Sequence, residues 1–285
     1  MLNRVILIAD SGSTKTIWKC SDGAGRVFST NTAGINPYYN TYEEILMEIT
    51  EARRQLLTID IEKVYFYGSG CSTDGQKDMV ARGIKLQFGA REISVNSDLL
   101  GAARALFQND PGLVCILGTG SGSCIYDGNH IIKSIPSLGF ILGDEGSGAF
   151  LGKQFVRDFL REEIPDVLFK KAKAELGLTK EEVLRNVNQE PMPSRYLAGF
   201  SKFINENIKH QYMRKLVYNS FNEFVKEYVI RYENFDNFKT GFIGSIAVRY
   251  KDILREVLAD YHIYLGVVEE NPVDGLIEYH LSKDI

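Results

Sequence analysis

Two glycine- and hydroxyl-rich turns, each entered from an apolar run, recur in the two halves of the chain. Asp10-Ser-Gly-Ser-Thr-Lys-Thr follows Val5–Ala9, and Gly118-Thr-Gly-Ser-Gly-Ser follows Leu113–Leu117. Glycine lets a backbone turn sharply and aim several N–H groups at one anion, while Ser and Thr add hydroxyl donors with little bulk. One such turn is an ordinary hairpin; a pair of them, the first led by Asp10, predicts a clamp for a polyphosphate. The strands around the turns recur too. Val5–Ala9, Thr16–Cys20 and Arg26–Thr30 read as three strands with a turn at Ser21–Gly25, and Leu113–Leu117, Ser123–Tyr126 and Ile131–Ile135 as three more with a turn at Asp127-Gly-Asn.

Between these groups the period changes. Tyr42–Leu57 places Ile45, Leu46, Ile49, Ala52 and Leu56 at helical spacing, and Val64–Tyr67 reads as a strand before Gly68-Ser-Gly. A helix is expected around Asp78–Phe88, a short strand at Glu92–Val95, and a helix over Asp98–Phe107 capped by Ser97. Residues 146–238 lack strong strand signals and read as amphipathic helices broken near Ile164-Pro and Pro191-Met-Pro. A strand at Lys239–Ile243, a helix from Ile246 to about Ala259 and a strand at His262–Gly266 complete the pattern, and the tail after Asn271 is expected to fold back.

A chain of 285 residues exceeds the usual single-domain size. The repeat divides it into an N-terminal domain, 1–110, onto which the tail from about 272 to 285 packs, and a C-terminal domain, 111–271, carrying the helical insertion of about 146–238. Both are expected to be α/β domains with mixed sheets, an antiparallel hairpin supplying the loop and a parallel part carrying the helices, with a cleft between the domains. With 44% hydrophobic and 25% charged residues the chain can bury a globular core. A net charge of −4 without a dense Lys/Arg block argues against nucleic acid or an anionic membrane as partner. The start runs into only five apolar residues before Asp10, too few for a signal segment or a membrane span, so a cytoplasmic protein is expected. Cys20, Cys71, Cys115 and Cys124 form no Cys-x-x-Cys pair and read as buried, reduced thiols rather than metal ligands.

Several residues stand where chemistry is expected. Asp10, at the end of a strand and beside the first turn, can hold Mg²⁺ against bound phosphates. Lys15 can pair with a phosphate, ranking below the backbone donors. Neither a Gly-x-x-x-x-Gly-Lys-Ser/Thr loop nor a Gly-x-Gly-x-x-Gly turn before a helix is present, which excludes the two commonest nucleotide folds. Asn96-Ser-Asp98 lies between a strand and a helix N-terminus, where backbone dipoles are expected to keep the Asp98 carboxyl ionised. Such a carboxylate can take the proton of a hydroxyl attacking a γ-phosphate. Gly139-Phe-Ile-Leu-Gly-Asp-Glu-Gly-Ser-Gly sets Asp144 and Glu145 on flexible backbone at a helix start that Ser147 can cap, an arrangement suited to sugar hydroxyls. Gly241-Phe-Ile-Gly-Ser leads from strand to helix with small residues that admit a nucleoside.

In order, Asp10-Ser-Gly-Ser-Thr-Lys-Thr, Gly34-Ile-Asn, Asn96-Ser-Asp98, Gly118-Thr-Gly-Ser, Gly143-Asp-Glu-Gly-Ser and Gly241-Phe-Ile-Gly-Ser resemble the motif series of the N-acetylglucosamine kinases, members with the benzoyl-CoA reductase activator ATPases of the actin-like and sugar-kinase superfamily. The resemblance covers nearly the whole chain, and Gly-Asp-Glu-Gly-Ser is its most specific piece. It implies two ribonuclease-H-like domains, ATP and Mg²⁺ as cofactors, and phosphate delivery to the 6-hydroxyl of N-acetylglucosamine or a related amino sugar. It further implies Asp98 as catalytic base and Asp10 at the metal. Gly12, Ser13, Thr14, Lys15, Thr119, Gly120, Gly244 and Ser245 would then face ATP, and Asn36, Asp98, Thr119, Ser121, Gly139 and Asp144 the sugar. The partners expected are ATP and a small amino sugar, with a homodimer as one arrangement open to the chain. Where the animal kinases carry Gly-Thr-Gly-Ser-Asn this chain has Gly122, and Leu138 fills a Trp position; both belong to the sugar pocket and bear on which sugar is preferred and on whether it is turned over. The cysteines that bridge a cluster in the activator ATPases have no counterpart here. The other reading is a sugar-sensing ATP-binding protein, or an ATPase, that phosphorylates no sugar.

Overall fold

Fully apolar runs such as Ile6-Leu7-Ile8-Ala9 suit strands covered on both faces, and the computed structural model, which describes residues 5–22, 25–56 and 60–283, places them at the centres of two sheets. In chain order the elements are β1 (Ile6–Ser11), β2 (Lys15–Ser21), β3 (Val27–Ala33), α1 (Tyr42–Gln55), β4 (Lys63–Gly68), α2 (Asp74–Phe88), β5 (Glu92–Ser97), α3 (Asp98–Phe107), β6 (Gly112–Leu117), β7 (Ser121–Tyr126) and β8 (Ile131–Ile135). There follow α4 (Gly139–Leu142), α5 (Gly148–Leu160), α6 (Asp166–Leu176), α7 (Lys180–Asn188), α8 (Pro193–Gly199), α9 (Ser201–Glu206), α10 (Gln211–Tyr228), β9 (Thr240–Ile243), α11 (Ser245–Arg249), α12 (Lys251–Asp260), β10 (Leu265–Glu269) and α13 (Val273–Lys283).

The chain forms two compact units: one takes the residues through Asp110, the Asp127–Ile131 turn and the chain from Asn271; the other takes Pro111–Tyr126 and Ile132–Glu270. The first sheet runs β3-β2-β1-β4-β5, with β1 antiparallel to β2 and parallel to β4, and β4 parallel to β5. Alternation sends Leu7, Ala9, Trp18, Val64 and Phe66 to one face, under Ile45, Ile49 and Ala52 of α1 and Val80 and Ile84 of α2. Ile6, Ile8, Tyr65 and Tyr67 pack on the other face with Val273, Leu276 and Ile277 of α13. Thr41 and Glu44 form a capping box at α1, and Thr73 and Gln76 another at α2, which moves that helix's start to Asp74, earlier than the apolar periodicity suggests.

The second sheet runs β8-β7-β6-β9-β10, with β6 antiparallel to β7 and parallel to β9, and β9 parallel to β10. Both sheets are therefore mixed and five-stranded, as expected for an α/β fold of the actin-like type. The helices α5 to α10 fill most of the span between β8 and β9, and their apolar stripes, with Phe155, Phe203, Val217, Phe221 and Phe224 among them, join the core on this sheet. Two expectations shift here. The helix after β9 breaks at Tyr250, whose hydroxyl donates to the Ser201 carbonyl at 2.7 Å, and the last strand begins at Leu265 because His262 takes a left-handed backbone (φ 58°) at the preceding turn. Leu57 and the Gly23–Ala24 part of the first turn lie outside the described residues. All four cysteines are buried and free, and among the described residues no helix is long and apolar enough to cross a membrane.

Candidate active site

In the first unit the carboxyl ends of three parallel strands are level: Ser11 pairs with Gly68, and Gly68 with Ser97. Ligands of open α/β sheets bind at this edge. The turn after β1 closes through a Gly12 N–H to Lys15 carbonyl bond of 3.1 Å, and the Gly34 N–H donates to the Thr14 carbonyl at 3.2 Å. Gly34 lies directly under the turn; a β-carbon there would stand 2.3 Å from the Gly12 oxygen, so no larger residue fits. The Ser11 hydroxyl, donating to the Ile35 carbonyl (2.9 Å) and accepting from the Ile35 N–H (2.8 Å), ties the turn to the segment that carries Asn36. The Asn36 side-chain oxygen accepts from the Tyr38 N–H at 3.0 Å and lies against Gly70, which leaves its NH₂ group to offer outward.

Asp98 starts α3. One carboxyl oxygen accepts from the Ser69 hydroxyl at 2.5 Å and the other from the Leu99 N–H at 2.8 Å. Burial nonetheless pushes its pKa up, against those two bonds, so the helix terminus does not set its titration as the sequence suggested. Asp10 is pushed up to about 7, first by burial and then by the Asp98 carboxylate, with Lys15 opposing. The first unit thus brings together Asp10, the Gly12–Lys15 turn and Asp98, with Asn36 against Gly70 of the Gly68-Ser69-Gly70 turn. Ser69 was missed as a functional residue, although Gly68-Ser-Gly is a third glycine–hydroxyl turn at a strand end.

In the second unit β6 passes into Gly118–Gly120, closed by a Gly118 N–H to Gly120 carbonyl bond of 3.0 Å. The first amides of α5 turn onto this loop: Gly148 N–H donates to the Gly118 carbonyl (2.9 Å) and Ala149 N–H to that of Thr119 (3.1 Å), while Ser147 caps the helix by accepting from Phe150 N–H at 3.1 Å. Gly244, which precedes α11 and Ser245, sits against the same loop at φ 126°, where a β-carbon would stand 2.2 Å from the Leu117 oxygen. Asp144 is 6% exposed and has a left-handed backbone, φ 61°. Its carboxyl accepts from the Ser121 N–H and the Ser137 hydroxyl, both at 3.4 Å, and burial raises its pKa. Thr119, Gly120, Ser121, Asp144 and Gly244 are thus neighbours, whereas Gly139 reaches the group through its carbonyl, which accepts from the Gly143 N–H at 2.8 Å. Leu138 is 57% exposed beside it.

No protein-family model and no curated protein matches the chain. Among solved structures, a candidate N-acetylglucosamine kinase from Porphyromonas gingivalis is 39% identical, with a TM-score of 0.94, over 98% of this chain and 100% of that one. The chain belongs to the N-acetylglucosamine kinase family. Membership places it among the sugar kinases, which are phosphotransferases. A candidate N-acetylglucosamine kinase from Chromobacterium violaceum shares the fold at 16% identity, TM-score 0.72, over 98% of this chain and 99% of that one. A glucokinase of the ROK family from Streptomyces griseus, solved with glucose and AMPPNP, shares it at 17% identity and TM-score 0.56, over 98% of each chain.

Proposed function

We propose that this chain transfers the γ-phosphate of ATP to the 6-hydroxyl of N-acetylglucosamine or a related amino sugar. The observation that carries this reading is Asp98: a carboxyl at a strand-to-helix junction, held by Ser69 and Leu99, next to a second acid and a glycine–hydroxyl turn. Burial raises its pKa, and a higher pKa makes its carboxylate a stronger base. The Ser69 bond fixes one oxygen, so the carboxylate is oriented before substrate arrives. The hydroxyl proton moves to Asp98 as that oxygen attacks the γ-phosphorus and the bond to the leaving ADP breaks. Backbone donors of Gly12–Lys15 and Gly118–Gly120, with Gly244 and Ser245, meet the nucleotide, and Asn36, Ser121, Gly139 and Asp144 meet sugar hydroxyls.

Two mutually repelling carboxyls with one exposed lysine nearby are suited to a divalent cation, and Asp10 is the residue that would hold Mg²⁺ with phosphate oxygens and water. Bound there, the ion would neutralise phosphate charge. Incubating the protein with ATP, Mg²⁺ and a panel of hexosamines and N-acylhexosamines, followed by mass spectrometry, tests the assignment. A 6-phosphorylated amino sugar is the expected product; ATP hydrolysis with no phosphorylated sugar would reject it.

A further inference from the structure

The Gly143-Asp144-Glu145-Gly146 turn lies across two aromatic residues of one helix. Phe224 and Tyr228 are four residues apart on α10, so they project from one face, and their rings stack at 5.3 Å between centroids and 16° between planes. A β-carbon on Gly146 would stand 2.7 Å from the Phe224 β-carbon, and one on Gly143 would stand 3.1 Å from the Tyr228 hydroxyl. Both ends of the turn therefore rest on α10, and Asp144 between them is held in the left-handed region, which side-chain-bearing residues seldom adopt. Something must hold that conformation.

Tyr228 is itself fixed. It is 2% exposed, and its carbonyl accepts from the Ser123 hydroxyl of β7 at 2.7 Å. Ser123 also bonds the Tyr232 hydroxyl (2.8 Å), which accepts from the Ile135 N–H at 2.9 Å. The Tyr228 hydroxyl lies against the Gly143 end of the turn, and burial keeps the phenol protonated. The buried Ser121 hydroxyl lies beside the same phenol.

We propose that Tyr228 is a positioning residue for the acceptor site, holding the Asp144 turn through its hydroxyl so that the Asp144 carboxylate keeps the orientation set by Ser121 and Ser137. The role of Asp144 toward a sugar rests on the function proposed above; the lock on the turn does not. Tyr228→Phe keeps the ring stack and removes only the hydroxyl. Hydrogen exchange at the amides of residues 143–147 is expected to accelerate about threefold to tenfold as the hydroxyl that backs the Gly143 end is lost, with the body of α5 unchanged. In the amino-sugar kinase assay the acceptor KM is expected to rise by a similar factor, with kcat within about twofold and the KM for ATP unmoved. Tyr232→Phe is the comparison: it removes a neighbouring buried phenol bonded to Ser123 and Ile135, and should leave the acceptor KM and the 143–147 exchange as they are.

Unchanged exchange in Tyr228→Phe would overturn the proposal. So would equal effects in Tyr232→Phe, or a rise in the ATP KM matching that for the acceptor. If the wild-type protein phosphorylates no amino sugar, the kinase assignment fails, and exchange alone then decides whether Tyr228 locks the turn.

Discussion

The two sheets have one topology and different chemistry. In each, a central strand pairs antiparallel on one side and parallel on the other and ends in a glycine turn, but Asp10 stands two residues before the turn glycine in β1 and Ile116 stands there in β6. The turns differ as well: pairing of Ser11 with Thr16 leaves Gly12–Lys15 in the first, and pairing of Leu117 with Ser121 leaves only Gly118–Gly120 in the second. The first unit sets Asp10 and Asp98 against each other at its strand ends. The second offers backbone donors and the neighbouring acids Asp144 and Glu145 on one turn resting on α10. A duplicated frame therefore supplies two glycine turns, and the function proposed above assigns the metal and the proton transfer to the acids beside the first.

The sharpest way to break that division is Asp98→Ala. A positioned general base contributes about 10²–10⁴ in rate, so kcat for the acceptor should fall by that factor while nucleotide affinity, measured by calorimetry, stays within about threefold. Residual activity above a hundredth of wild type would mean that the first unit does not hold the base.

The cradles themselves should respond alike but unequally. Gly34→Ala and Gly244→Ala each drive a methyl into backbone, at 2.3 Å and 2.2 Å, and only Gly244 also has a positive φ. Losses of about 1–3 kcal/mol for Gly34→Ala and about 1 kcal/mol more for Gly244→Ala are expected in denaturant titration, with weaker ATP binding in both. If either variant binds nucleotide like wild type, its turn is not a phosphate cradle.

Much of this was legible in the chain. The apolar runs, the two glycine turns and the α3 cap at Ser97 depend on local signals, so β1, β6 and α3 could be drawn almost to the residue. What escaped was non-local. Ser69 matters only because Gly68 and Ser97 end level on neighbouring strands, and Tyr228 only because α10 returns beneath a turn far away in sequence. The titration of Asp98 was misjudged for the same reason: a helix N-terminus is visible in sequence, whereas the burial that outweighs it comes from the whole unit. The break at Tyr250 depends on a tertiary bond to Ser201 that no periodicity encodes.

Asp10 gives a test with the nucleotide left out. Its carboxyl titrates at about 7 in the folded chain against an ordinary value near 4, so the native state holds the extra proton between those values. Its stabilising contribution is complete below pH 4 and is lost as pH rises through 7. In metal-free protein Asp10→Asn should therefore flatten the fall in thermal stability between pH 5 and pH 8. At pH 8 it should be more stable than wild type by about 2 kcal/mol, half the full shift because the side chain is only partly buried and coupled to Asp98. An equal pH dependence in the two proteins would remove Asp10 from the strained acid pair.

The smallest expected effect separates the two acids of that pair. Ser69 donates to Asp98 and to no other acid of the site, and this bond lowers the Asp98 pKa against burial. Ser69→Ala deletes it without enlarging the side chain, so Asp98 should titrate higher and lose its ionised form sooner on acidification. The acid limb of the kcat/KM profile should accordingly move to higher pH, with activity on that limb falling about threefold to tenfold and activity on the alkaline plateau falling less, as expected for one hydrogen bond to a charged group. Asp98 raises the Asp10 pKa by repulsion, so the metal-free stability curve should move slightly in Ser69→Ala, far less than in Asp10→Asn. An activity profile that shifts more than the stability curve would assign the limiting ionisation to Asp98, whereas an unshifted profile would show that the ionisation limiting catalysis does not belong to Asp98.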